Sequence, residues 1–429
     1  MNIALLPAYS LFFLMLFIPA TYQSLKLLLL IITLMIISIR LSYGYKLRLH
    51  PIIIMWVLFY LVLGTAFIIR GFAHNPYGAL RVSTIYVIWP IVFTFFIGGG
   101  INNEILSNLI KLMVITTIII SFYAFLFMLQ ELGWLPGGLY IPIDQRQQMV
   151  HHAGYIEASF YSLDSLLFLV PFNLAFLLIW PKKFDPLIHR VLLWAATTIG
   201  IIIVFLSGRR ALILVVILSP FLTMGLQCFL PSGMRRESFM QSIKSAIPIV
   251  LFIIFFLYYV ERIFDIDLLS TYKMFTSGFQ FDAELSAAIR KKQFYALIEG
   301  WMESPFFGKG HGTCCSGFLR EGGDQGVCAY ELSYVALLFY TGISGFLAYA
   351  SGVLWIIMKS IQLIRSQAVI GLQMLPILVG MVSFLIGHAT NPYLTKFDSM
   401  WTIFLPVAFI NNQLIRSEGR QNAIEDTGN

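Results

Sequence analysis

Residues 283–345 read AELSAAIRKKQFYALIEGWMESPFFGKGHGTCCSGFLREGGDQGVCAYELSYVALLFYTGISG. On a helical wheel of about 100° per residue, one face of the first part is apolar apart from a cation and carries Ala287, Arg290, Phe294, Leu297, Ile298 and Trp301. The opposite face is polar and carries Lys292, Gln293, Glu299 and Glu303. Such a pattern predicts an amphipathic helix with Arg290 on its apolar side. The alternative is a cap helix with a snorkelling arginine.

Two features follow this helix. The glycine-rich run from Pro305 to Gly312 is predicted to end it and to form a tight loop with exposed backbone donors. Glu331 then opens a new apolar run and is predicted to lie near a membrane surface. A cation, a loop and a carboxylate are therefore predicted to converge in this segment.

The composition indicates an all-α, polytopic membrane protein. Of 429 residues, 59% are hydrophobic and 11% are charged, whereas soluble domains carry about 25% charged residues. Apolar runs of about 18 residues or more, long enough to cross a bilayer, recur along most of the chain. The net charge of +7 is spread over many loops, so it indicates membrane topology and not a nucleic-acid surface.

The apolar runs predict about twelve spans in one membrane domain over residues 1–415. Their approximate limits are 3–20, 25–40, 51–69, 82–99, 109–129, 161–180, 191–206, 211–229, 246–262, 331–358, 369–388 and 399–415. Lys and Arg concentrate in alternate loops, which places those loops and both termini in the cytoplasm. Residues 262–330 then form one large outer loop with amphipathic helices. The polar tail 416–429 is predicted to be cytoplasmic, and disordered from Glu418 onward.

A short basic turn separates two of the apolar runs. It reads Ser207-Gly208-Arg209-Arg210-Ala211 and lies on the predicted outer side. Arginine forks suit bidentate binding of phosphate oxygens, and charge at a membrane is often functional. The alternative is a pair of interfacial, snorkelling arginines.

Other polar residues on the predicted outer side are weaker candidates. Residues 130–160 contain Arg146, His151, His152 and Glu157, but the adjacent histidines lack further ligands at metal spacing. Three cysteines lie in the large loop, and Cys328 is predicted to pair with either Cys314 or Cys315. A zinc site completed by His311 is the alternative for this cluster.

Four motifs in order resemble the O-antigen polymerase and O-antigen ligase family of membrane glycosyltransferases. The Ser207–Ala211 turn is similar to the family's Ser-Arg turn, with Arg210 in the arginine position. Gly154-Tyr-Ile-Glu157-Ala158-Ser159 resembles the Gly-x-x-Glu-Pro-Ser element of the polymerase branch, with Ala158 for Pro. Arg290, Trp301 and Pro305-x-x-Gly308-x-Gly310 resemble the large-loop signature. Glu331-Leu332, nine residues and Gly342-x-x-Gly345 match the spacing of the ligase motif, which begins with His where this chain has Glu331.

The resemblance implies a polymerase that joins undecaprenyl-diphosphate-linked oligosaccharides at the outer face of a bacterial inner membrane. It implies Glu331 and Glu157 as the catalytic carboxylates, with Glu331 as the general base. It also implies that Arg210 and Arg290 bind the diphosphate, with Arg209 in a supporting role. Candidate substrate contacts are Arg146, His311 and Tyr330.

The resemblance also implies the partners. These are a lipid-linked glycan donor and acceptor, the lipid bilayer and a chain-length regulator protein, with no nucleic acid, cofactor or metal. The alternatives are an O-antigen ligase that transfers glycan to lipid A core, and a polytopic transporter or flippase.

Overall fold

The computed structural model describes residues 5–99, 101–136, 138–143, 147–152, 155–179, 189–264, 285–316, 328, 330–366 and 368–427. These residues are helical apart from short connections and one two-stranded hairpin. The chain divides into two compact units. The first comprises Met1–Ile36, Asn103–Phe279 and Ser360–Gly387, and the second comprises Ile37–Asn102, Gln280–Lys359 and His388–Asn429.

The first unit is built around a helix that is buried on all sides. Its main helices are α1 (Leu6–Phe17), α6 (Asn103–Glu131), α7 (Leu166–Ile179), α8 (Arg190–Leu206), α9 (Arg210–Gln227), α10 (Ser232–Phe264) and α13 (Ala368–His388), together with α2 (Gln23–Ser42) as far as Ile36. The central helix is α7, whose sequence LLFLVPFNLAFLLI has no polar face. It packs against α6, α8, α9 and α10. A helix that is apolar all round has to be buried in protein or lipid.

A β-hairpin precedes α7. Its strands, β1 (Gln148–His152) and β2 (Tyr155–Ser159), pair antiparallel with Gln148 opposite Ser159. The chain continues from β2 through a 3₁₀ turn, Tyr161–Ser165, directly into α7. The hairpin is the one strand structure within the described ranges, and the apolar pattern did not predict it.

The second unit joins helices from three parts of the chain. They are α3 (Pro51–Phe72), α4 (Pro76–Ser83), α5 (Trp89–Gly98), α11 (Leu285–Met302), α12 (Ser333–Ser366) and α14 (Phe397–Thr427), with a π-helical turn, Thr84–Ile88, between α4 and α5. Aromatic side chains connect them. The rings of Phe93 in α5 and Phe404 in α14 stack, and Trp56 in α3 stacks on Trp355 in α12.

Nine helices among the described residues are long and apolar enough to cross a membrane. Helices α1 and α8 are apolar but shorter, and α14 is not among the nine. The fold is thus that of an all-α, polytopic membrane protein, while the number of twelve spans stays a prediction. The tail differs from the prediction, because α14 continues as a helix to Thr427 instead of becoming disordered at Glu418. The Glu418 carboxylate lies 2.8 Å from the His50 imidazole, which holds this part of the helix against the rest of its unit.

Candidate functional site

The predicted site residues fall into two groups, one in each unit. Glu157, Arg209 and Arg210 belong to the first unit, and Arg290, His311, Tyr330 and Glu331 belong to the second. Arg146 lies outside the described residues.

In the second unit, Arg290 and Glu331 form an ion pair. Arg290 Nε donates a hydrogen bond to Glu331 Oε2 at 2.9 Å, and the two side chains are 34% and 19% exposed. The predicted meeting of this cation and this carboxylate, 41 residues apart, is confirmed. Both charges remain within reach of water, so the pair can exchange partners with a bound anion or hydroxyl.

Gln293 fixes the backbone on which Glu331 is mounted. Its Oε1 atom accepts hydrogen bonds from the backbone N–H groups of Glu331 and Leu332, both at 3.0 Å. The wheel placed Gln293 on the polar, solvated face, but its side chain is 2% exposed. The reason is local. Helix α12 begins at Ser333, and the N–H groups at a helix start have no partner within the helix and need an acceptor.

The glycine-rich loop after α11 is paired to a break in α12. At Gly342 the α12 backbone leaves the helical conformation, with φ of 62°. Ile343 N–H donates to Pro305 O at 2.9 Å and Ser344 N–H to Phe306 O at 3.1 Å, while Lys309 N–H and Gly310 N–H donate to Phe339 O and Tyr340 O at 3.0 and 2.8 Å. Two of the quoted motifs, Pro305–Gly310 and Gly342–Gly345, therefore form one hydrogen-bonded assembly.

The same loop continues onto α3 and α4. His311 N–H donates to Phe67 O at 2.9 Å, and Arg70 Nε donates to Gly308 O at 2.6 Å. A Cβ atom built on Gly310 would lie 2.0 Å from Gly71 N, and one built on Gly71 would lie 2.0 Å from His311 O, so neither position has room for a side chain. The glycines allow close backbone contact, and the sequence prediction of a loop with exposed donors is wrong for Lys309, Gly310 and His311, since their N–H groups are paired.

His311 is buried in a cluster of aromatic rings. Its imidazole stacks on Tyr86 at a centroid distance of 3.8 Å, and its Nε2 atom lies 3.2 Å from Tyr349 Oη. Burial lowers the pKa of His311 to about 3, so the ring is neutral at pH 7. Within the described part of the chain its Nδ1 atom has no hydrogen-bond partner. A substrate contact by His311 stays a prediction, and it would require the ring to be uncovered.

Tyr330 and Cys315 belong to a small buried core, against which Cys328 packs. A disulfide joins Cys314 to Cys328, which resolves the choice that the sequence left open, and Cys315 is buried and takes no part in a disulfide. Cys315 N–H donates to Tyr330 Oη at 2.6 Å. Burial is the main cause that raises the pKa of Tyr330, and the hydrogen bond with the Cys315 side chain adds to it. Tyr330 is buried, so its predicted contact with substrate also stays a prediction.

In the first unit, β2 is hydrogen-bonded to the basic turn. Ala158 N–H donates to Ser207 O at 2.9 Å. Glu157 is therefore held beside the Ser207–Ala211 turn, although about 50 residues separate them. These two quoted motifs also meet in space, and each is positioned by the same backbone contact.

The two arginines of this turn have different surroundings. Arg209 Nη1 donates to Asp164 Oδ1 at 2.9 Å, and the two side chains are 16% and 8% exposed. Arg209 thus joins the turn to the start of α7, while Arg210 is the first residue of α9 and is half-buried. Diphosphate binding by either residue stays a prediction. The geometry assigns Arg209 a structural contact in addition.

Two residues that organise the second group, Gln293 and Arg70, were not predicted as site residues from the sequence. Gln293 follows Arg290 by three residues, which brings it near Arg290 on the helix surface and not on the opposite face as the wheel had it, and that spacing was the available signal. Arg70 ends an apolar run next to Gly71, which indicates only an interfacial cation. No group of three or more side chains suited to metal binding occurs among the described residues.

The comparisons with known proteins add no relative. No protein-family model matches this chain, and a search of curated proteins finds no significant match.

Proposed function

We propose that this protein is a membrane glycosyltransferase that joins undecaprenyl-diphosphate-linked oligosaccharide repeat units into a polysaccharide. The observation that carries the proposal is the Arg290–Glu331 pair at 2.9 Å. Gln293 accepts a hydrogen bond from the backbone N–H of Glu331. Glu331 lies just before α12, the helix with which the glycine-rich loop is hydrogen-bonded. The quoted motifs of the large loop and of the following apolar run are therefore spatial neighbours.

The reaction requires one base and at least one cation. Glu331 accepts the proton of the acceptor hydroxyl while the oxygen of that hydroxyl bonds to the anomeric carbon of the donor sugar. The bond between that carbon and the diphosphate oxygen breaks, and undecaprenyl diphosphate leaves with the electron pair. A single displacement inverts the anomeric centre. The diphosphate is itself a good leaving group, so the mechanism needs no metal or other cofactor.

Arg290 has two roles in this mechanism. It orients the Glu331 carboxylate when no donor is bound, and it shifts to the leaving diphosphate as negative charge develops there. A guanidinium can bridge two acceptors because it carries five N–H groups. In the first unit, Arg210 is the residue proposed to bind the diphosphate, and Arg209 assists it. Glu157 orients the acceptor.

The proposed setting is a bacterial inner membrane with the reaction at the periplasmic face. The prenyl tail of the donor stays in lipid and the sugars stay in water, which suits residues at the ends of apolar helices. A chain-length regulator protein is an expected partner. The multi-pass helical fold is compatible with this setting, since nine of the described helices are long and apolar enough to cross a membrane.

The test is the ladder of glycan lengths from a strain that lacks its own polymerase. Glu331→Gln keeps the shape of the side chain but removes the base, so we expect almost complete loss of chain extension and accumulation of single lipid-linked units. Glu303→Gln is the matched control, because Glu303 is an exposed carboxylate of the same unit that pairs with Lys309. Arg290→Lys should recover little activity, because an ammonium cannot reproduce the planar fork.

Two results would contradict these assignments. A normal ladder with Glu331→Gln would show that Glu331 is not the base. If the ladder were instead lost with Glu157→Gln, Glu157 would be the base and Glu331 would orient the acceptor. If a strain with one of these variants made full-length polymer but no longer attached it to lipid A core, the protein would be a ligase. The presence of Glu331 where the ligase motif has His argues against that alternative.

A transporter of glycolipid is the second candidate, and one observation favours it. Asn173 lies within α7, is fully buried, and donates from Nδ2 to Thr117 Oγ1 at 2.8 Å. Polar groups inside a membrane helix often mark a transport pathway. Asn173→Leu removes this pair. Loss of lipid-linked substrate from the outer leaflet in this variant would support transport. An unchanged ladder of glycan lengths would favour the polymerase.

A further inference from the structure

The loop between α11 and α12 exposes two adjacent aromatic side chains. Phe306 is 68% exposed and Phe307 is 59% exposed, and Met302 at the end of α11 is 65% exposed. Large apolar side chains that are exposed together mark an interaction surface. We propose that Phe306, Phe307 and Met302 form a membrane wedge that inserts among the acyl chains of the lipid leaflet in which α3 ends.

The contacts between α3 and α12 fix the level of this loop. Trp56 Nε1 donates to Gly352 O and Tyr60 Oη donates to Tyr349 O, so the two helices run antiparallel. Further along α3, the carbonyl of Phe67 accepts from His311 N–H, and Gly71 touches Gly310. The loop is therefore level with the last turn of α3.

The length of α3 places that turn at the edge of the hydrocarbon region. Helix α3 has 22 residues, which at 1.5 Å per residue span about 33 Å. The hydrocarbon core of a bilayer is about 30 Å thick. A loop level with the end of α3 lies at the boundary between acyl chains and headgroups.

The wedge continues the lipid-facing surface of the neighbouring helices. Phe306 O accepts from Ser344 N–H and from Ser344 Oγ, so Phe306 lies beside the second part of α12. Ile343 and Leu347 of α12 are exposed there, as are Ile69 and Phe72 at the end of α3. Apolar residues on spanning helices that face outward meet acyl chains, and the wedge extends this surface into the loop.

Several polar groups of the loop backbone also have partners within the protein. Non-helical backbone at membrane depth needs protein partners for its polar groups. Trp301 Nε1 and Ile343 N–H donate to Pro305 O, and Gly308 N–H donates to Ser304 O. Arg70 Nε donates to Gly308 O, and the N–H groups of Lys309 and Gly310 are paired with α12. The break at Gly342 thus supplies partners for Pro305 O and for the N–H groups of Lys309 and Gly310, which lowers the cost of placing this loop in the bilayer.

The occupant is the acyl region of the bilayer, and a spin label can test it. Cysteine replaces Phe306 or Phe307, one at a time, in a background with Cys228→Ser and Cys315→Ala and with the Cys314–Cys328 disulfide kept. The labelled full-length chain is reconstituted in phosphatidylethanolamine–phosphatidylglycerol vesicles. Collisions with oxygen, which concentrates in lipid, are compared with collisions with the water-soluble chelate nickel ethylenediaminediacetate.

We expect the oxygen-to-nickel collision ratio to be several-fold higher at both wedge positions than at Lys292→Cys. Lys292 is exposed on α11 and serves as the aqueous control. Preferential collision with nickel at the wedge positions would show that the loop lies in water and would overturn the proposal. Protection from both reagents would show that protein covers the loop, through a second copy of the chain for example, and would overturn it equally. The measurement needs no catalysis, so its result is independent of the proposed function.

Discussion

Gln293 Oε1 accepts a hydrogen bond from the backbone N–H of Glu331 at 3.0 Å. This contact spans 38 residues of sequence and fixes the start of α12 against α11. The carboxylate of Glu331 is held separately by Arg290. Two residues of α11, three positions apart, thus determine the place of the main chain and the direction of the side chain at one position.

Replacing Gln293 should separate these two effects. Gln293→Met keeps the volume but removes the acceptor of two part-buried N–H groups, which should cost about 1–3 kcal/mol of stability. If Glu331 is the base, turnover should fall more than apparent acceptor affinity. Thermal unfolding in detergent and the glycan ladder measure the two effects. Lys292→Met, on the exposed neighbour, should leave both unchanged, and equal behaviour of the two variants would contradict the positioning role.

The two arginines of the basic turn should differ in the kind of damage they cause. Arg209→Ala removes an ion-pair partner from the buried Asp164 carboxylate, and breaking a buried pair costs about 3–5 kcal/mol. Protein abundance should fall, and adding Asp164→Asn should recover part of it. Arg210→Ala should leave abundance normal and abolish chain extension. Immunoblots beside the ladder distinguish these outcomes, and a normal ladder with Arg210→Ala would argue against diphosphate binding there.

Gly342→Ala should destabilise the second unit. A Cβ atom there would lie 2.4 Å from the carbonyl carbon and oxygen of Phe306, at a φ of +62°. Left-handed backbone alone costs a residue with a side chain about 1–3 kcal/mol, and the clash adds to it. Gly225→Ala is the control, since Gly225 is inside α9 and a methyl group there would meet no atom within 4 Å. That change should be neutral or slightly stabilising by thermal unfolding. Equal melting temperatures would contradict the tight contact.

Burial of neutral His311 predicts a loss of stability in acid. Its pKa falls from 6.5 to about 3 in the folded protein, so between these values the unfolded chain binds a proton that the folded chain does not. Stability is unaffected above pH 6.5 and decreases as the pH falls below it, by about 2 kcal/mol at pH 5. His311→Phe keeps the stacking with Tyr86 but cannot titrate. Unfolding between pH 7.5 and 5 should show a smaller loss for this variant than for the native chain, and parallel losses would refute the assignment.

Topology is tested by labelling single cysteines in intact cells. Arg236 and Lys292 are both exposed, and the distribution of Lys and Arg places Arg236 in the cytoplasm and Lys292 outside. A membrane-impermeant maleimide should therefore label Lys292→Cys before lysis and Arg236→Cys only after it. The reverse pattern would place the Arg290–Glu331 pair in the cytoplasm and exclude a periplasmic reaction there.

The class of fold followed from the sequence because its cause is local. Long apolar runs such as that of α7 leave helices as the form that satisfies every backbone group within the segment, so the composition of each run was sufficient. Proximity of Arg290 and Glu331 was also predictable, since both flank the same loop and carry opposite charge. The approximate limits of α3, α8 and α9 followed from the same runs.

Only the tertiary structure decided how the candidate residues are held. Gln293 is buried because α12 begins beside it. The backbone at Gly342 can leave the helical conformation because the carbonyls of Pro305 and Phe306 accept hydrogen bonds from the N–H groups of Ile343 and Ser344. Cys328 pairs with Cys314 and not with the adjacent Cys315, which instead packs under Tyr330. Each of these outcomes depends on atoms that are 14 to 38 residues apart along the chain. Hydropathy and charge describe a residue and its neighbours, whereas hydrogen bonds between distant segments depend on where the folded helices bring those segments together.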